Sequence, residues 1–118
     1  MEHKILKLLI VSTNEDHRFL LTAILKKCGF AVDAPTDLSH CSKLVEENDY
    51  HKVVFDYDYK SVTSRLFCSY LESHQKFNKS VVIQALTDDD LAYKVFEQGG
   101  RILSKPYDTE DLVYAVMK

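Results

Sequence analysis

The sequence predicts a three-layer α/β fold: a parallel sheet of five strands with helices on both faces. Three observations carry that prediction. Five short apolar runs alternate with segments of helical period. Those runs are continuous rather than alternating, as strands buried on both faces require. The 118 residues suit one compact domain spanning 1–118, with hydrophobic residues at 46% supplying a core and only three Gly and two Pro to interrupt it.

Leu8-Leu9-Ile10-Val11 reads as the first strand. Asn14, Glu15 and Asp16 then start a helix, with acids favoured at its N-terminal dipole. Phe19, Leu20, Ala23 and Ile24 are read as its inward stripe, and Gly29 as its left-handed stop. Phe30-Ala31-Val32 is the second strand. A less regular helix follows over 36–48 with Leu38, Cys41, Leu44 and Val45 inward. Lys52 to Asp56 is the third strand. The next helix begins near Ser61 to Ser64 and carries Leu66, Phe67, Tyr70 and Leu71 on its stripe. Val81-Val82-Ile83 is the fourth strand. Thr87 and Asp90 have the spacing of a capping box for a helix with Leu91, Ala92, Val95 and Phe96 inward, ended by Gly99-Gly100. Arg101 to Ser104 is the fifth strand. Asp108 caps a last helix with Leu112, Val113, Val116 and Met117 inward.

Charge and composition exclude several classes. A net charge of −3 without a basic cluster argues against nucleic-acid and membrane-surface binding. The apolar run after Lys4 and Lys7 is too short for a signal peptide, and no span is long enough to cross a membrane. Cys28, Cys41 and Cys68, odd in number and without a CxxC pair, read as small buried hydrophobes in a reducing, cytoplasmic setting. His3, His17, His40, His51 and His74 are scattered without metal spacing and read as solvated. The DDD at 88–90 reads as a helix-start charge cluster.

In a sheet of this kind, sites gather beyond the carboxyl ends of the strands. Those ends are Ser12 and Thr13, Asp56, Gln84, and Ser104 with Lys105. Asp56 closes the run VVFD and is followed by Tyr57 and a second acid, Asp58, so a carboxylate stands where this architecture places chemistry.

The stretches LLIVSTNEDHRFLLTAILKKCGF, VVFDYD and ILSKPYDTEDL resemble the receiver domain of two-component response regulators, over essentially the whole chain. The resemblance implies a flavodoxin-like fold with strand order 2-1-3-4-5. It also implies Asp56 as the acceptor of a phosphoryl group from a histidine kinase, Lys105 as the lysine contacting that group, and a cis peptide at Pro106. Partners would be that kinase or a downstream effector, docking on the face of the fourth helix, fifth strand and fifth helix. Tyr93, Arg101, Ile102 and Tyr107 fall on that face; homodimerisation there is left open.

This chain departs from the family at several positions. The two acids that hold magnesium after the first strand are replaced by Ser12 and Thr13. Gln84 stands where the fourth strand normally ends on a hydroxyl, with Thr87 as the candidate if the loop is shifted. The switch aromatic falls on Ile102. Losing two charge-assisted contacts at about 1.5–3 kcal/mol each weakens the ion by several kcal/mol. The expectation is therefore weak or absent magnesium binding, with Asp56 and Asp58 the only carboxylates left to rescue it, and no other cofactor. Lys105, with Gln84, is expected to pair with unmodified Asp56 and hold one conformation. The domain would then act through protein contact, without enzymatic activity of its own. A conventional phosphoacceptor is the alternative. A remote third reading compares DYD with the nucleophile and general acid of haloacid dehalogenase-type phosphatases, but that motif belongs near a chain's start and needs a third acidic motif and a cap.

Overall fold

The computed structural model describes residues 4–118; His3 lies outside them. Five parallel strands form one sheet in the order β2-β1-β3-β4-β5. They are β1 (Lys7–Ser12), β2 (Ala31–Asp33), β3 (Lys52–Asp56), β4 (Ser80–Gln84) and β5 (Arg101–Ser104). The helices are α1 (Glu15–Lys27), α2 (Cys41–Glu47), α3 (Val62–Ser73), α4 (Asp89–Glu97) and α5 (Thr109–Met117). This is the flavodoxin-like arrangement the sequence predicts.

The pleat divides the core in two. Leu9, Val11, Val53, Phe55 and Val82 face one side, packed with Phe67 and Leu71 of α3 and Leu91 and Val95 of α4. Leu8, Ile10, Val54, Val81 and Ile83 face the other, packed with Leu21 and Leu25 of α1 and Leu112, Ala115 and Val116 of α5. Successive residues of a strand therefore serve different helix layers, which explains why every central strand is apolar throughout.

The starts of α1, α3, α4 and α5 are built from side-chain caps. Asn14 accepts from the amide of His17, Ser61 from that of Ser64 and Asp88 from that of Leu91. Asp108 and Asp111 form a reciprocal capping box. The α4 cap thus corrects the Thr87–Asp90 expectation: Asp88 is the cap, and Asp89 and Asp90 occupy the first turn. The helix expected over 36–48 is also shorter: a 3-10 turn (Leu38–His40) capped by Asp37 leads into α2 (Cys41–Glu47).

Several stripes are rotated from their expected positions. On α1, Phe19, Leu20 and Ala23 are exposed, while Ile24 faces the sheet as expected, together with Leu21 and Leu25. Leu66 on α3, Phe96 on α4 and Met117 on α5 are likewise exposed. Each sits beside a true core residue, so adjacent apolar residues left the facing side of the helix ambiguous by one position. Cys28 is exposed, whereas Cys41 is buried and Cys68 half-buried. His51 is not free in solvent: its ring stacks on Phe30, and Nε2 lies 3.0 Å from the Val116 carbonyl oxygen.

Gly99 adopts a left-handed conformation after α4, with φ 88°. Gly100 has ordinary backbone angles but no room: an added Cβ would collide with the Phe77 carbonyl oxygen and the Val95 side chain. Glycine is required there by close approach.

Candidate functional site at the carboxyl edge of the sheet

Asp56 ends β3 and is 5% exposed. It pairs across the sheet with Ser12 on one side and Ile83 on the other. Cross-strand partners share a face, so Asp56 points with Ile10, Val54 and Ile83 toward the α1 and α5 layer. Four groups converge there. Lys105 Nζ lies 2.9 Å from Oδ1. The Ser12 hydroxyl donates to Oδ2 at 2.8 Å, and His17 Nδ1 lies 2.7 Å from the same oxygen. The outer nitrogen of His17, Nε2, is hydrogen-bonded to the Tyr107 hydroxyl.

These contacts decide the ionisation of Asp56. Burial pushes its carboxyl upward, but the bonds from His17, Lys105 and Ser12 together outweigh burial and hold it below the ordinary carboxylate value. Burial, and then the charge of Asp56, push the Tyr107 phenol up to about 12. Nδ1 of His17 therefore faces an anion and donates to it. Nε2 then shares a hydrogen bond with the Tyr107 hydroxyl, which ties the ring to the loop before the last helix. Ser12 is equally committed: its hydroxyl oxygen also accepts from the Asn14 amide at 3.1 Å.

His17 corrects the reading of scattered, solvated histidines. It lies on the row His17, Leu21, Leu25 of α1, spaced four residues apart, whose apolar members face the sheet. That spacing was the available signal: a polar residue at the N-terminal end of a buried row points at the strand ends.

Gln84 does not reach Asp56. As the residue after Ile83, it points to the opposite side of the sheet, with Val82. It is 4% exposed, and its Oε1 has no hydrogen-bond partner. Thr13 and Thr87 are exposed on the rim. Asp58 accepts the Lys60 amide at 3.0 Å in a tight turn, and its own amide donates to Ser64. Among the described residues, no group of three His, Cys, Asp or Glu side chains is placed to hold a metal ion.

The Lys105–Pro106 peptide is cis. The four residues assigned to a partner face separate: Tyr93 on α4 is exposed, while Arg101 lies over the Tyr114 ring. Ile102 packs on the α3/α4 side of the core, and Tyr107 turns inward to His17. Tyr107 is thus a member of the site and not a free contact residue.

A cleft of about 840 Å3, lined by Asp56 and Lys105 themselves, runs over the ends of β3 and β4 to the start of α4. Gln84, Tyr57 and Asp58 lie on its walls.

The sequence matches no protein-family model and no curated relative. Its structure resembles many solved ones. A CheY-like response regulator receiver domain protein from Methanospirillum hungatei superposes with a TM-score of 0.80 at 15% identity, over 97% of this chain and 92% of that one. FixJ-N gives 0.78 at 20% identity, over 98% and 93%. The beryllofluoride-activated NtrC4 receiver domain dimer gives 0.75 at 22% identity, over 94% and 93%. The fold is that of the response-regulator receiver domain.

Proposed function

We propose that this chain is a signalling receiver domain whose phosphoacceptor position is held shut from within and which acts by binding a protein partner. The observation that carries the reading is the Asp56 carboxylate, engaged on Oδ1 by Lys105 and on Oδ2 by Ser12 and His17. A phosphoryl acceptor must present a free oxygen lone pair in line with the leaving group. Here Oδ2 holds two donors and Oδ1 holds the Lys105 ammonium, so the spare lone pair lies on Oδ1 beside that ammonium, and the bonds that lower the carboxyl's pKa also reduce its nucleophilicity.

The donor set does not fit magnesium. That ion takes near-octahedral oxygen ligands and keeps its place through carboxylates or phosphates. The carboxylate here is surrounded by a hydroxyl, an imidazole and an ammonium, and Asp58 is turned into its own loop. Lys105, by its charge, and His17, by its hydrogen bond, stand in for the cation. The partner would be a kinase-like or effector protein meeting the exposed aromatic side of α4, where Tyr93 and Phe96 project. The setting would be cytoplasmic; among the described residues no helix is long and apolar enough to cross a membrane.

Incubation with acetyl phosphate and magnesium, followed by intact-mass measurement, tests the reading. Little or no gain of a phosphoryl group is expected in the wild type. Stoichiometric modification, abolished by Asp56→Asn, would establish the conventional alternative. A generic phosphomonoester assay should show no turnover, since the Asp58 carboxyl is committed to Lys60 and not poised beside Asp56.

A further inference from the structure

The helix that supplies His17 turns a second face away from the sheet. His17, Leu21 and Leu25 point inward from α1, and Phe19, Leu20 and Ala23 are left outside. Phe19 is 76% exposed, the highest value for any large hydrophobic among the described residues, and Leu20 is 53% exposed. Their polar neighbours turn away from this face. Arg18 donates to the Ser12 carbonyl, and the Thr22 hydroxyl donates to the Arg18 carbonyl within the helix. What remains is an apolar centre with Asp16 in the first turn and Lys27 in the last.

Spacing makes this stripe self-complementary. Asp16, Leu20, Ala23 and Lys27 recur at intervals of four, three and four, the repeat of a two-helix seam, with Phe19 beside it. Turned about a two-fold axis at its midpoint, the stripe meets itself antiparallel. Asp16 then opposes the partner's Lys27, and Leu20 opposes the partner's Ala23, a large side chain against a small one. Both charges are free to pair: neither Asp16 nor Lys27 is in an ion pair among the described residues. Acids at a helix start and lysines at its end suit the helix dipole by themselves. The dipole gives no reason for the phenyl and leucyl groups exposed between them, and the antiparallel contact covers these.

We infer that α1 is the docking surface for a second copy of this chain, paired antiparallel through Phe19, Leu20 and Ala23 and closed at each end by Asp16 with Lys27. The contact lies on the opposite side of the sheet from α4, whose exposed aromatic side stays free for another protein. It does not depend on whether Asp56 accepts phosphate. About three helical turns from each copy bury less than the roughly 1,200 Å2 of a stable standard interface. The dimer is therefore weak and concentration-dependent, with a Kd of about 0.1 mM.

Sedimentation equilibrium of the full chain, from about 10 μM to 1 mM so as to span that Kd, tests the pairing. The average mass should rise from monomer toward dimer, and amide shifts should move with concentration along Phe19, Leu20 and Ala23. Leu20→Asp, at an exposed position, should abolish association over this range. Asp16→Lys and Lys27→Asp should each weaken it about tenfold, since each turns two attractive pairs into repulsive ones. The double variant, with both pairs reversed, should recover to within about threefold of the wild type. Phe96→Ser on α4 should leave the dimer unchanged. The proposal is overturned if the chain stays monomeric throughout, if Leu20→Asp dimerises as the wild type does, or if the double variant is no better than the single ones. Loss of association in Phe96→Ser would overturn it too, by assigning the dimer to α4.

Discussion

The two sides of the sheet's carboxyl edge obey opposite rules. On the α1/α5 side, Asp56, Ser12, His17, Lys105 and Tyr107 form a closed network in which the carboxylate and its partners satisfy one another. On the α3/α4 side, one residue along β4, Gln84 is just as deeply buried and its Oε1 has no partner. Burial alone therefore says little about what a polar residue does there. Satisfaction separates the two: the first side is a structural clasp, and the second is a sealed, unpaired acceptor.

The largest expected effect is on the clasp. Asp56→Ala should cost about 2–4 kcal/mol in urea unfolding, because it leaves the buried Ser12 hydroxyl and the His17 and Lys105 donors unmatched. A stabilising effect would mean that the carboxylate is strained and not clasped. His17→Ala should cost about 1.5–3 kcal/mol by the same measurement, as a charge-assisted bond is lost. It should also raise phosphorylation by acetyl phosphate above the wild-type level by freeing Oδ2; no change would place the block elsewhere.

A smaller effect is expected with acid. The folded-state pKa of Asp56 lies below its unfolded value, so its contribution is present above about pH 4 and fades as pH falls toward the folded pKa. Stability measured from pH 5 down to 2 should fall less steeply in Asp56→Asn than in the wild type. Tyr107 titrates in the opposite sense. Its folded pKa is raised to about 12, so stability should decline as pH climbs from about 10 toward that value, and Tyr107→Phe should blunt the decline. The smallest effect belongs to the unpaired side. Gln84→Leu should be neutral or stabilise by up to about 1 kcal/mol, since an unpaired buried amide is replaced by an apolar group of similar size. A loss comparable to that of His17→Ala would erase the contrast between the two sides.

Much of this was legible from the chain. The continuous apolar runs predicted the parallel sheet because strands buried on both faces have no polar face to show. The strand ends then singled out Asp56, Ser12 and Lys105. His17 was not legible from histidine spacing, because what places it is its row with Leu21 and Leu25. That row was obscured by the neighbouring Phe19 and Leu20, which supply an equally apolar stripe facing solvent. Gln84 was misplaced for a related reason. Its length made contact with Asp56 sterically plausible, but register pairs Asp56 with Ile83 and sends the next residue through the sheet. Register between strands distant in sequence is a tertiary property that no local pattern states.

Gly100 has no functional group, yet its close packing fixes where the strand leading to the site's ammonium begins. Any side chain there would strike main-chain oxygen of Phe77, which cannot swing aside as a flexible side chain could. Relief would have to come by sliding the start of β5, and that strand is four residues long and ends next to Lys105. A single added methyl at its near end would thus be felt as misalignment at its far end, detuning a contact it never touches.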